Sequence, residues 1–503
     1  MMRKGSVTVF LALVLSLMLS LVCTSVESVR MAAARTQILG SLDVGLYSLF
    51  GQYDSTLLKE YDLFLLDGSC GGSTLNMAGI YDNMKFYMEP VLKQNSQKLS
   101  IVQGGFSGYR LATDEDGEAF YHQVVQYMKE TLGSQGIQLL LNKMKDRQKK
   151  TEEAEVSGNQ AEQGKMLESY ESEMDSAARN SQAAQEKAQQ EHSTESQGEV
   201  FGSGPGDSGG GSGFSSNADQ NVANPVTVIQ RIRKMGILQL VLPPGRSVSD
   251  KKISKKTLVS GRTLQQGFGF AETLKKDTSY TSQLLFQQYL MDKLGNFRRS
   301  SSHGLRYQVE YILEGKDNDL DNLKAVAGRL LIIREGVNFA HLLSEPGKRS
   351  QAAALAAAIA ATFLIPPAAS VIEKAVLLCW AFGESILDVR ELLDGGKIPL
   401  VKSAVDWQLS LENLSNLLDS LDTRRRSVEN GMSYEDYLQV LLMSKSKSMK
   451  LKRGMDMVEL GIRSMPQRER FRLDCCITAI EAAVDVRANK RKVFTVTKQY
   501  CYE

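Results

Sequence analysis

The sequence predicts an α+β protein in which helix dominates, carried on an N-terminal transmembrane helix that extends into a stalk. Three observations predict it. Residues 7–26 are twenty positions without a charge, a proline or a glycine, directly behind Arg3 and Lys4. Most of the chain beyond residue 225 carries apolar residues at helical spacing. The last thirty or so residues switch to an alternating pattern around a turn, which reads as a β-hairpin closing a small sheet.

The apolar run comes first. At about 1.5 Å per residue it spans roughly 30 Å, the thickness of a bilayer's hydrocarbon core. Val7, Phe10, Leu13, Leu17, Leu21 and Val26 are the expected anchor residues, with the lipid bilayer as their partner. A cleaved signal has a shorter apolar stretch, about 7–15 residues, ending in a small-residue site. Here the nearest candidate, Met31-Ala32-Ala33-Ala34, lies beyond Glu27 and Arg30 and is flanked by Arg35. A lipoprotein would use Cys23, but Val22 occupies the place of the small residue that should precede it. Length favours an uncleaved, single-pass anchor in the cell membrane. Arg3, Lys4 and the amino terminus hold the N-terminus in the cytoplasm, a bias that Arg30 and Arg35 weaken without reversing. The bulk is then extracytoplasmic.

The helix is expected to continue past the membrane surface. Residues 6–39 contain no proline or glycine, and Val26, Val29, Ala33, Gln37, Gly40 and Val44 recur at helical spacing. Glu27 and Arg30 stand three apart, where they can pair and set the register of the stalk.

Four segments follow from the composition: an anchor and stalk over 1–50, a small α+β region over 51–144, a linker or insertion over 145–225, and a mainly helical body over 226–503. In the second segment, 43–67 and 81–95 read as helix and short extended pieces, and 99–102 and 109–112 as strands. Asp114-Glu115-Asp116-Gly117 opens a long helix over 118–144, its acids suited to the positive helix end. The third segment is rich in Gln, Glu, Ser, Lys and Gly, and too poor in apolar residues to offset the entropy of ordering. The body should start over 226–242, with a Lys-rich loop at 250–256 and helices over 279–294, 321–343, 352–364, 368–393, 407–421 and 434–443. Residues 352–371 are twenty uncharged positions that could cross a membrane. The alanine content, Pro366-Pro367, and Glu373, Lys374 and Glu384 close behind favour a buried helical hairpin. Phe471, Leu473, Cys475 and Ile477 alternate, as do Phe494, Val496, Tyr500 and Tyr502, with a turn at 488–490.

Several chemical classes are disfavoured. Lys+Arg 60 against Asp+Glu 58 leaves a formal net charge of +2, which gives no field for nucleic acid. The short basic runs 251–256, 424–426 and 445–453 read as solvated surface. Six cysteines without C-x-x-C or paired His/Cys spacing argue against zinc. Cys501 could pair with Cys475 or Cys476, or the thiols could be buried and free. Gly206-Asp207-Ser208-Gly209-Gly210 matches a serine-nucleophile signature, yet it sits in low-complexity sequence with no strand before it and no matching histidine context. Asp317, Asp319 and Asp321 alternate as in a calcium loop, but Asn322 and Gly328 break that pattern, leaving a turn and a helix cap.

Lys4-Gly5-Ser6-Val7-Thr8-Val9-Phe10, the apolar run, Glu27-x-x-Arg30 and the alanines of 31–35 resemble the start of TadE/TadG-type pseudopilins over about the first 45 residues. Such pseudopilins usually carry a glutamate beside the phenylalanine, used in recognition and docking; Thr8 and Val9 stand there instead. Tyr61-Asp62-Leu63-Phe64-Leu65-Leu66-Asp67, Glu310-Tyr311-Ile312-Leu313-Glu314-Gly315, Arg334-Glu335-Gly336-Val337-Asn338-Phe339-Ala340, the stretch Gly396-Lys397-Ile398-Pro399-Leu400-Val401-Lys402, and Asp406-Trp407-Gln408-Leu409-Ser410-Leu411 resemble a family from Clostridia-type Firmicutes associated with Tad-like pilus genes. That family has no established activity to carry over.

The resemblance implies a non-catalytic, membrane-anchored structural or assembly component of a Tad-like pilus or secretion system, with protein partners in that apparatus. No catalytic, cofactor-binding or metal-binding residue is expected. The alternatives are a surface-tethered envelope hydrolase, which would need clustered carboxylates or a nucleophile–base pair, and an envelope sensor, which would need an output domain.

Overall fold

Helix α1 (Lys4–Phe50) runs unbroken for 47 residues because nothing in it stops a helix. It ends where Gly51 N donates to Tyr47 O, and Asp54 then caps α2 (Ser55–Tyr61) by accepting from Thr56 N and Leu57 N. The computed structural model describes residues 4–94, 98–157, 165–176, 179, 224–270, 274–421, 427–488 and 492–502.

A four-stranded antiparallel sheet joins the two ends of the chain. Its centre is β3 (Cys476–Ala488), flanked by β2 (Ser100–Leu111) on one side and β4 (Lys492–Cys501) on the other, with the two-residue β1 (Leu66–Asp67) at its start. Register runs from Ser100 opposite Arg487 to Leu111 opposite Ile477, and Val484 faces Val496 in the C-terminal hairpin. Side chains alternate across a strand, so Ile480, Ala482, Val484 and Val486 face one way. There they meet Ala34, Ile38, Leu42 and Leu46 of α1 and Ile80, Met84 and Met88 of α3 (Met77–Lys93), forming one hydrophobic core. Glu481 and Asp485 point to the opposite face, where they accept from Ser107 Oγ at 2.6 Å and Gln103 Nε2 at 2.6 Å.

The second, larger core belongs to the helices. Helix α4 (Glu118–Ser157) changes direction at Gly133, whose φ of 62° no β-carbon-bearing residue adopts cheaply. It continues through the first residues of the stretch read as linker, where Arg147 is buried and bonds Gln439 Oε1 at 2.7 Å. A helical stretch over 165–176 follows, and its buried Tyr170 accepts from Asn224 Nδ2 at 2.8 Å. Next come α5 (Pro225–Arg233), α6 (Ile237–Val241), α7 (Tyr280–Lys293), α8 (Gln308–Glu314), α9 (Asp319–Ser344), α10 (Pro346–Thr362), α11 (Ala369–Asp394), α12 (Tyr434–Met443) and α13 (Lys447–Arg463). Helix α11 is the axis of this core, buried almost without interruption from Ala375 to Leu393. Helix α10 turns back on it through Pro366 and Pro367, so 352–371 is a helical hairpin packed on the body, but a half-buried one rather than the buried hairpin expected: Ala352, Ala356, Ile359 and Ala360 are buried, while Phe363 and Leu364 at the tip are exposed.

Other local expectations also differ from the structure: 99–102 and 109–112, read as two strands, fall at the two ends of the single strand β2. Residues 407–421 do not form one helix. Gln408 N and Leu409 N donate to the buried Glu384 carboxylate, and Trp380 Nε1 donates to Leu409 O, which holds this segment extended before two single turns at Glu412–Leu414 and Leu417–Ser420. The basic stretch 445–453 is mostly the start of α13, capped by Ser446. Residues 471–475 alternate in hydropathy but form a loop and a turn, and the strand starts at Cys476. The Asp317–Asp321 segment holds a cap: Asn318 accepts from Asp321 N, and Asp319 accepts from Arg306 N, Tyr307 N and Ser249 Oγ. Cys23, Cys70, Cys379, Cys475 and Cys476 are free thiols, so neither Cys475 nor Cys476 pairs with Cys501. The Gly206–Gly210 motif, the basic run 424–426, and the turn residues Asn489 and Lys490 lie outside the described residues.

Candidate functional site

Helix α1 has two halves with opposite surroundings. Every described residue from Val7 to Arg30 is exposed, including Phe10 at 67%, Leu13 at 64%, Leu17 at 72%, Leu21 at 61% and Val26 at 47%. The hydroxyl of Thr24 is satisfied inside the helix by Ser20 O and Leu21 O. Glu27 and Arg30 both face outward, and among the described residues no ion pair joins them. From Ala34 onward one face of the same helix is core, while Val44 and Tyr47 stay exposed. Gln37 Nε2 donates to Val91 O at 3.1 Å, Asp43 pairs with Lys498, and the Phe50 ring packs on Tyr500 and Tyr502 at 4.8 and 4.7 Å. Tyr502 Oη also donates to Phe50 O at 2.7 Å.

The body contains a buried polar network between α9, α11 and the loop that follows α11. Arg334 and Asn338 sit one turn apart on α9, and Glu384 and Asp388 one turn apart on α11, all four without solvent exposure. Arg334 Nε donates to Asp388 Oδ2 at 2.9 Å, and its Nη1 donates to Leu400 O at 2.7 Å and Pro399 O at 3.0 Å. Asn338 Nδ2 donates to Ser385 Oγ and Asp388 Oδ2, both at 2.9 Å. Lys402 comes in from the loop and pairs with Glu384 and with Asp388 Oδ1, the latter at 2.6 Å. Burial pushes the Asp388 carboxyl up, but Lys402 and Arg334 outweigh it and hold it below the usual range. Burial wins at Glu384, which is raised despite Lys402. Two cations and two carboxylates are matched and sealed. This arrangement fastens the loop to the helices.

Another buried carboxyl stands apart from this network. Glu310 on α8 accepts from Phe297 N at 2.7 Å and Tyr434 Oη at 2.8 Å, and its other oxygen has no partner. Burial pushes it up to about 7, against the pull of those two donors. On the rim of the network, the His341 ring stacks on Trp407 at 5.5 Å, and Lys348 lies over Trp380 and Trp407 at 4.8 and 4.7 Å.

A cleft of about 540 Å³ opens between the end of β2, the turn at Glu115–Gly117 and the strap 259–270. Its charged walls are already engaged. Arg262 clamps Glu459 at 2.6 and 2.7 Å and Asp474 at 2.6 Å, and Asp114 accepts from Leu111 N at 2.7 Å and Gly267 N at 3.0 Å. Among the described residues no three His, Cys, Asp or Glu side chains gather as a metal site, and no histidine ring hydrogen-bonds a serine, threonine or cysteine side chain.

Residues 215–488 match a family of unknown function, DUF5702, over more than half of the chain, a stretch that takes in both ends of the polar network and β3. The chain belongs to the DUF5702 family. No curated protein and no solved structure matches it. The family match begins far beyond α1, so it carries no information on residues 1–45.

Within this DUF5702 body, the motif stretches beginning at Arg334, Gly396 and Asp406 converge. They supply Arg334, Asn338, Lys402 and the backbone donors of Gln408 and Leu409 to one network. Glu384 and Asp388 escaped the sequence reading, because α11 reads there simply as an apolar helix. The available signal was two acids four apart on the buried stripe, facing a similar Arg/Asn pair on α9.

Proposed function

We propose that this DUF5702 protein is a non-catalytic, single-pass membrane protein whose α+β body is held extracytoplasmically and serves as a structural or assembly component of a Tad-like pilus or secretion apparatus. One observation carries the reading: α1 is a single helix, bare and apolar over its first half and locked into the sheet core over its second. With no flexible joint between the two, a pull or rotation at the membrane is transmitted directly to the sheet. The sealed charge network supports a scaffold rather than a catalyst. The Tad-like part of the reading rests on the likeness of the first 45 residues and of the body stretches that begin at Tyr61, Glu310, Arg334, Gly396 and Asp406; the family match adds nothing to it.

The test is the N-terminal residue of the mature protein, determined by mass spectrometry on membrane and sheared-surface fractions separately. A start at Met1 or Met2 confined to membranes supports a retained anchor. A start at Ser6 in the sheared fraction makes the protein a fibre subunit. A start near Ala32–Ala34 in a soluble fraction overturns the anchor and makes the apolar run an export signal.

A further inference from the structure

Lys450 of α13 is only 3% exposed, and among the described residues no carboxylate pairs with it and no protein atom accepts from its ammonium. That is an unusual state for a lysine, since a buried charge is ordinarily paired. Burial alone pushes it down to about 8, with no counter-charge opposing the shift. The side chain lines a pocket of about 150 Å³ with Tyr280, Gln283, Leu284, Gln287 and Met443. Gln287 Nε2 donates to Gln439 O at 2.6 Å and Gln283 Nε2 to Thr278 O at 3.1 Å, so each amide keeps a second N–H.

We propose that the pocket over Lys450 is a binding site for a carboxylate carried on a short apolar stem. The ammonium supplies one positive charge, which a single carboxylate neutralises and a doubly charged phosphate does not. The amides of Gln283 and Gln287 offer donors to the carboxylate oxygens, and Leu284 and Met443 offer an apolar wall to the stem. The volume matches a group of a few heavy atoms, given about 30 Å³ for one water. The carboxylate could belong to a free short-chain acid or to the end of a peptide, and the chemistry is the same.

The test is thermal unfolding of the full chain in detergent, with sodium butyrate, acetate, phosphate or chloride at equal ionic strength. Butyrate should raise the Tm of the native protein by roughly 3 °C at about ten times its Kd, saturably, with acetate weaker and phosphate no better than chloride. Lys450→Met removes an unpaired charge and keeps the stem volume, so it should fold at least as stably and lose the butyrate shift. N-acetyl-alanine acting where its amide does not would assign the site to a peptide end; butyrate acting alone would assign it to a free acid. An equal shift in Lys450→Met, or no saturable shift in the native protein, overturns the proposal. If Lys450→Met does not fold, Lys450→Gln is the variant compared, and the ranking of anions on the native protein stands as the deciding measurement.

Discussion

Gly45 of α1 lies against Met88 of α3, so that a β-carbon at position 45 would stand 2.5 Å from Met88 Cγ and 3.2 Å from Met84 O. The buried half of α1 therefore meets α3 backbone to side chain. Gly45→Val should overpack this crossing and cost about 1–3 kcal/mol. Gly40 has nothing within 4 Å of the same position, and Gly40→Ala should be neutral or stabilise by up to about 1 kcal/mol. Denaturant unfolding of the two variants side by side checks the contrast.

Breaking the ion network from one side should be severe. Lys402→Met leaves Glu384 and Asp388 buried with only Arg334 for compensation, and about 3–5 kcal/mol of stability should be lost. Lys402→Met combined with Glu384→Gln should lose markedly less than the sum of the two single changes, because both members of one pair go together. A double-mutant cycle by urea unfolding measures this coupling, and strict additivity would remove the pair from the account.

The Glu310 carboxyl gives a pH dependence with a definite sign. Its folded pKa, about 7, lies above the ordinary 4.5, so between those values the folded state holds a proton that the unfolded state has released. The contribution is fully present below about pH 4.5 and is lost as pH rises through 7. Glu310→Gln mimics the protonated form and removes this slope. The stability difference between variant and native protein should shift in the variant's favour by about 3 kcal/mol from pH 4.5 to pH 8. Unfolding curves across that range read it directly.

Leu13 and Leu17 lie inside the bare stretch of α1, both more than 60% exposed. An arginine at the centre of a membrane helix costs about 2.5–3.5 kcal/mol on insertion scales. Leu13→Arg together with Leu17→Arg should shift the protein from the membrane to the soluble fraction while leaving body stability unchanged, since neither residue touches the core. Fractionation with a parallel unfolding measurement separates the two effects.

What the sequence determined by itself is the local part. An uninterrupted apolar run of twenty residues fixes a long helix because no proline or charge opposes it, and α12 falls at 434–443 as read because Ser433 and Asp436 form a capping box at its start. The 3.6-residue and two-residue periods likewise placed α7, α9, α11 and the C-terminal hairpin. Only the tertiary structure decided the rest. Leu111 meets Ile477 across most of the chain's length, and no local pattern encodes such a partner. Residues 407–411 have helical spacing, yet two backbone donors are worth more to a buried Glu384 carboxylate than to a helix, so the segment stays extended. The polar network is invisible in sequence for the same reason: Arg334, Asp388 and Lys402 are ordinary surface residues by type, and only the burial of α9 against α11 makes them answer to one another.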